Sequence, residues 1–222
     1  MPSTPPEASA GDTAPPPARH GALARRLAGL NLYLVGMMGA GKSAVGRPLA
    51  AALGYRFLDA DTALEAAAGR SIPRLFAEEG EGAFRELETA VLDQLAGFHS
   101  LVVATGGGVV LRPVNWGHLQ QGVVVWLDAP EALLLERLRA DPTPRPLLQH
   151  PDPAGRLAEL LEQRQPLYAQ ADLHVRQAGG TPEEVAELVL EALPSILRER
   201  SQDPPAPIRL VDGEGQPRPS LN

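Results

Sequence analysis

The sequence predicts an α/β fold in three layers, a five-stranded parallel sheet with helices on both faces. Three observations carry that expectation. Short apolar runs alternate with segments of helical periodicity along most of the 222 residues, the pattern that lays crossover helices over parallel strands. Leu101-Val102-Val103-Ala104-Thr105 and the Val-rich stretch Gly122 to Leu127 are apolar without alternation, as in strands buried on both faces. A glycine-rich turn, Gly36 to Ser43, stands between the first apolar run and the first long helix, and strand, turn, helix is the unit from which such sheets are wound.

The first strand is Asn31-Leu32-Tyr33-Leu34-Val35, preceded by a short amphipathic segment over Gly21 to Leu30. The turn after it, Gly36-Met37-Met38-Gly39-Ala40-Gly41-Lys42-Ser43, has the spacing of the phosphate-binding P-loop. A phosphate needs several donors converging from one side with no bulky side chain in the way, and glycines at 36, 39 and 41 allow that approach and positive φ. The loop amides and the positive end of the following helix cradle the anion. Lys42 can reach between β- and γ-phosphates, and the Ser43 hydroxyl is placed to ligand Mg²⁺. Ser43 to Leu53 reads as a helix with Val45, Leu49, Ala52 and Leu53 on one face. Pro48 falls inside it and predicts a kink, because it removes a backbone donor at a cost of about 3 kcal/mol.

Tyr55 to Asp61 reads as a second strand ending in two carboxylates. Alternation points Asp59 and Asp61 the same way, off the carboxyl end of the sheet, where ligands sit in open parallel sheets. One carboxylate could hold Mg²⁺ through water while the other meets a substrate hydroxyl; the bland alternative is a solvated pair capping the next helix at Thr62. Helices follow over Thr62 to Gly69, from a Ser71 cap through Phe76, and from Phe84 to Leu95. Arg85 and Glu88, three residues apart, are neighbours on one helix face. They read either as a surface ion pair or as a guanidinium forked onto a substrate carboxylate, with Glu88 fixing its orientation.

Gly106-Gly107-Gly108 leaves the third strand directly, which lets a small ligand lie against bare backbone amides. After the fourth strand, Asp128-Ala129-Pro130 leads into a helix from Glu131 to Arg139, and Asp141 to Gly155 breaks the pattern with a run of prolines. Leu157 to Gln165 is helical and carries Arg164 near its end. Ala171 to Val175 is the last strand, and Thr181-Pro182 opens a last helix to about Leu197.

The P-loop, Asp59-Ala60-Asp61, Phe84-Arg85 with Glu88, and Ala104-Thr105-Gly106-Gly107-Gly108, in that order, resemble the shikimate kinase family over about Leu32 to Leu193. The resemblance implies the P-loop kinase fold and transfer of the γ-phosphoryl group of ATP to the 3-hydroxyl of shikimate. The products would be shikimate 3-phosphate and ADP, a step of chorismate and aromatic amino acid biosynthesis. It also implies a distribution of roles. ATP falls to Gly39, Ala40, Gly41, Lys42, Ser43 and Ala44, and Mg²⁺ to Ser43 and Asp59. Asp61 orients the attacking hydroxyl and forms the catalytic set with Lys42 and Arg145, while Asp61, Arg85, Glu88, Gly107, Gly108 and Arg164 hold the substrate.

Arg145-Pro146-Leu147-Leu148 resembles the family's lid, at about 137–155, with Arg145 over the phosphates. Arg137 and Arg139 are both candidates for stacking on adenine; Arg139 is assigned to the ATP site, although the sequence does not choose between them. A gluconate-type or nucleotide kinase of the same fold leaves two arginines on one small acid unexplained. A nucleotide-binding module without turnover leaves Lys42, Ser43, Asp59, Asp61, Arg85 and Arg164 together unexplained.

Composition excludes other classes. The chain carries a formal charge of −7 and no long Lys/Arg block, against a nucleic-acid surface though not against a local basic pocket. It has no cysteine, hence no disulfide framework and no thiolate metal site. No apolar run approaches the roughly 18 residues of a membrane helix. Residues 1–21 and 201–222 are Pro-rich and poor in large apolar side chains, so both read as disordered tails around one domain over 22–200. A transit peptide at the start sits badly with Glu7 and Asp12. The expectation is a cytoplasmic monomer that binds small molecules, with neither nucleic acid nor membrane as partner.

Overall fold

The computed structural model describes residues 20–141 and 150–197. Five strands form one parallel sheet in the order β2-β3-β1-β4-β5: β1 (Leu32–Val35), β2 (Arg56–Asp59), β3 (Leu101–Ala104), β4 (Val123–Asp128) and β5 (Leu173–Arg176). The apolar runs occupy the three central positions, where every residue from Leu32 to Val35 is fully buried. The outer strands are more exposed, β5 alternating buried and exposed along its length, as expected where one face or edge meets solvent. The order in which strands are added reverses beside β1, which opens a crevice at the carboxyl ends of the strands, the usual ligand position in such sheets.

Eight helices accompany the strands among the described residues: α1 (Gly21–Leu27), α2 (Lys42–Leu53), α3 (Ala60–Ala68), α4 (Ile72–Ala96), α5 (Pro113–Leu119), α6 (Glu131–Ala140), α7 (Pro153–Tyr168) and α8 (Pro182–Ala192). Helix α2 lies close on the sheet at Gly46, where a Cβ would stand 2.5 Å from the Phe57 ring and 3.2 Å from Leu34. That glycine therefore serves packing, and any larger side chain would push the P-loop helix off β1 and β2. Helix α8 begins in a complete capping box between Thr181 and Glu184, with Pro182 in its first turn. The tail expectations and Arg145 lie outside the described residues, although Gly21 already belongs to α1, and residues 137–140 and 153–155 of the expected lid belong to α6 and α7.

Two local expectations, the end of the second strand and the end of the helix carrying Arg164, are revised, and two others hold. The second strand stops at Asp59 and Asp61 sits in the first turn of α3, because the Asp59 side chain turns back to accept from the amides of Asp61 and Thr62 at 3.0 and 3.3 Å. The capping role and the site role thus fall on one residue. As expected, helix α2 extends to Leu53 with Pro48 inside it; the carbonyl that loses a partner belongs to Ala44, on the exposed face, where water can replace the missing donor. Helix α7 likewise passes Pro166 and ends at Tyr168, so Arg164 is interior rather than terminal. The two helical segments expected before and after residue 80 are both present within α4, separated at Gly80 with φ 80 and ψ 178, a conformation open essentially to glycine alone.

Candidate active site

The site grows from the P-loop. Gly36, Gly39 and Gly41 adopt φ of 140, 81 and 83, which turns successive amides toward the N-terminus of α2. A Cβ at Gly36 would lie 2.5 Å from the Leu127 carbonyl, so the loop begins wedged between β1 and β4. Lys42 is buried and folds back over the loop, donating to the carbonyls of Gly36 at 2.8 Å and Met37 at 3.0 Å. Beside it the Ser43 hydroxyl donates to Asp59 Oδ2. These groups line a cleft of about 290 Å³ together with Gly39, Gly41, Ala44, Asp61, Thr105 and Arg137.

Helix α6 closes the far wall. Arg137 Nη1 reaches the Gly39 carbonyl at 3.3 Å and Gln177 Oε1 at 3.2 Å. Gln177, buried just past β5, in turn donates to the Ala40 carbonyl at 2.9 Å. Of the two arginines weighed for adenine, Arg137 faces the P-loop and Arg139 lies on the exposed side of α6. Gln177 escaped the sequence reading, since only the sheet order brings β5 to the P-loop.

The glycine loop after β3 is the second half of the site. A Cβ at Gly106 would meet Glu88 Oε1 at 2.8 Å and Asp61 Oδ1 at 3.0 Å; one at Gly107 would meet the Met38 amide at 3.3 Å and Arg164 at 3.8 Å; one at Gly108 would strike the Arg85 guanidinium, with Cζ at 2.6 Å. Two cations and two carboxylates therefore converge on three residues without side chains, next to the P-loop. Arg164 Nη1 donates to the Gly107 carbonyl at 3.2 Å, and the Tyr168 hydroxyl donates to the same oxygen at 2.5 Å.

Arg85 and Glu88 are both nearly buried, at 9% and 7% exposure. Arg85 Nη1 donates to Glu88 Oε2 at 2.8 Å, while Nη2 and Nε donate to Glu81 Oε1 at 3.0 and 3.2 Å. Burial works against the Arg85 charge, but Glu88 and Glu81 outweigh it and hold the guanidinium above its ordinary value. For Glu88 the balance runs the other way: burial pushes the carboxyl up, and Arg85 only partly offsets it. Its Oε1 has no hydrogen-bond partner, which leaves an acceptor for a ligand hydroxyl. Burial also raises Tyr168 to about 12, so it stays a neutral donor to Gly107.

Helix α5, which the sequence reading overlooked, holds these parts in register. The fully buried Asn115 donates to the Val109 carbonyl at 2.7 Å and accepts from Thr89 at 2.8 Å, while Arg112 donates to the Arg85 carbonyl at 2.9 Å. The glycine loop and the arginine helix are thus tied through one side-chain network. Asp93 and His118 face each other on the outside of the same helix pair.

The shikimate kinase family model matches residues 38–194. A shikimate kinase from Synechococcus sp. (strain RCC307) is 60% identical over 176 residues, 79% of this chain and 90% of the relative. One from Nostoc punctiforme is 54% identical over 173 residues, 78% of this chain and 95% of the relative. Among solved structures, shikimate kinase from Acinetobacter baumannii in complex with shikimate superimposes with a TM-score of 0.72 at 42% identity, over 76% of this chain and 95% of that one. Residues 38–43 of the P-loop, the acidic pair and the arginine-lined glycine loop fall within the span of the family model, and with that agreement the chain belongs to the shikimate kinase family.

Proposed function

We propose that the chain transfers the γ-phosphoryl group of ATP to the 3-hydroxyl of shikimate, releasing ADP and shikimate 3-phosphate, and so serves chorismate and aromatic amino acid biosynthesis. The observation that carries this reading is the convergence of Arg85, Arg164, Asp61 and Glu88 on Gly106–Gly108, beside a P-loop. Such a site suits a compact acid with several hydroxyls: cations for the carboxylate, acceptors for the hydroxyls, and bare backbone where a ring can lie. The Acinetobacter relative holds shikimate, which supports the same acceptor here.

The residues divide the work by charge. The amides of Gly39 to Ser43, with Ala44 at the start of α2, and the Lys42 ammonium neutralise the phosphate oxygens, and the Lys42 contacts to Gly36 and Met37 are the ones phosphate would replace. Asp61 orients the attacking hydroxyl and takes its proton as the P–O bond forms. Arg85 and Arg164 hold the carboxylate, Glu88 accepts from a ring hydroxyl, and Gly107 and Gly108 give the ring room. Arg137 is the better placed of the two α6 arginines to meet the nucleotide. Arg145 is assigned to the phosphates on the resemblance alone.

The Ser43 hydroxyl and Asp59 carboxylate, adjacent at the N-terminus of α2, are hard oxygen donors that fit Mg²⁺, an ion usually held by one or two protein oxygens plus phosphates and water. When bound, the ion supplies charge neutralisation between the β- and γ-phosphates. No described helix is long and apolar enough to cross a membrane, and we infer a monomer acting in the cytoplasm; elution at the mass of one 23.5 kDa chain tests the first part.

ADP release in a coupled assay with ATP and Mg²⁺ tests the acceptor. Shikimate is expected to support turnover, with gluconate and a nucleoside monophosphate inactive. Turnover only with another acceptor would leave the P-loop chemistry standing and remove the substrate assignment.

A further inference from the structure

Arg85 is crowded by carboxylates before any substrate arrives. Of its five N–H groups, Nε and one on Nη2 go to Glu81 Oε1, and one on Nη1 goes to Glu88 Oε2. Glu88 is buried, but the Glu81 side chain is 53% exposed. Arg164 differs: it is 3% exposed and its guanidinium donates to the Gly107 carbonyl, within reach of the Glu88 charge.

Glu81 also sits at a special point of the chain. It directly follows Gly80, whose non-helical backbone breaks α4, and it therefore stands in the first turn of the helical half that carries Arg85. The residues just before the break are pinned separately, Glu78 and Glu79 both pairing with Arg70. A carboxylate at a helix N-terminus is favoured there by the helix dipole even when it faces water. Glu81 thus has two comfortable states, on Arg85 or in solvent.

We infer that Glu81 is a built-in competitor for the Arg85 fork, a carboxylate that the substrate's own carboxylate has to displace or share with. The inference rests on the assignment of Arg85 to the substrate acid. A carboxylate docking side-on needs the Nε and Nη2 hydrogens that Glu81 now takes. One docking end-on uses the remaining Nη1 and Nη2 hydrogens, but meets a guanidinium whose charge is already shared with Glu81 and Glu88. In both geometries Glu81 weakens capture of the acid by Arg85.

The test is Glu81→Gln, with Arg85→Ala and the double variant, assayed for shikimate turnover and for shikimate binding by titration calorimetry without nucleotide. An exposed pair of this kind is worth at most about 1 kcal/mol, so Glu81→Gln is expected to lower the shikimate KM and Kd by about two- to fivefold. Neither kcat nor the ATP KM should change, and the gain should vanish in the Arg85→Ala background. A merely structural role cannot tighten binding. An unchanged or raised shikimate Kd in Glu81→Gln, with Arg85→Ala still impaired, overturns the inference alone. An Arg85→Ala variant that binds shikimate as well as the parent overturns the clamp assignment and the inference with it.

Discussion

Arg85→Ala will destabilise the protein strongly near neutral pH and much less in mild acid. Arg85 is the only group whose hydrogen bond to Glu88 appears among the described residues, and Glu88 already carries one oxygen without a partner. Losing the guanidinium leaves a buried carboxylate with no donor, a defect that typically costs about 3–5 kcal/mol. At roughly 2–4 °C per kcal/mol for a domain of this size, the melting temperature should fall by roughly 6–20 °C.

The pH dependence follows from the direction of the Glu88 shift. Burial holds its folded-state pKa above the ordinary carboxyl value, and removal of Arg85 raises it further. A group with a raised folded-state pKa contributes fully below its unfolded pKa, and that contribution is lost as pH rises through the folded value. The gap between parent and variant must therefore widen with pH. Glu88→Gln should cost only about 1 kcal/mol, because Arg85 keeps its two bonds to Glu81, and Arg85→Ala combined with Glu88→Gln should lose the pH dependence. Thermal unfolding of the three variants at about pH 5 and about pH 8 supplies the data. A gap of equal size at both values, or a double variant as pH-sensitive as Arg85→Ala, would refute the reasoning.

Tyr168→Phe removes one of two donors to the Gly107 carbonyl, so stability should drop by about 1 kcal/mol and the shikimate KM should rise while the ATP KM holds; steady-state kinetics separate the two. Asn115→Ala strands the Val109 carbonyl in the interior, while the Thr89 hydroxyl keeps Arg85 and Arg112 as partners, at about 1–3 kcal/mol, with a lower thermal midpoint and a higher shikimate KM; an effect on ATP alone would contradict its placement. Arg137→Ala should raise the ATP KM by about two- to fivefold, the scale of a cation–π contact, and more than Arg139→Ala does. The reverse order would return the adenine role to Arg139.

Central β–α alternation was legible in the sequence because strands buried on both faces show as unbroken apolar runs, and Leu32–Val35 and Val123–Asp128 appear where those runs lie. The site was legible where its chemistry is local in sequence: the P-loop, Asp59 with Asp61, and Arg85 with Glu88. What escaped depends on one local competition and on long-range contact. Asp59 stops its own strand by capping α3, a competition between ladder and side chain that alternation alone cannot reveal. Gln177, Tyr168 and Asn115 carry no motif; they matter because β5, α7 and α5 deliver them to Ala40, Gly107 and Val109. The helix carrying Arg164 was expected to stop at Gln165, before Pro166, yet α7 continues through that proline to Tyr168, tertiary packing outweighing local propensity.

The central claim is tested most directly by the product itself. Phosphorus and carbon NMR of a completed reaction with ATP, Mg²⁺ and shikimate should show one phosphate ester, on the 3-oxygen, formed in equal amount to ADP and absent when Asp61→Asn replaces the parent. ADP released without an ester, or an ester on another hydroxyl, would contradict the account of how Asp61 and the two arginines present the acceptor.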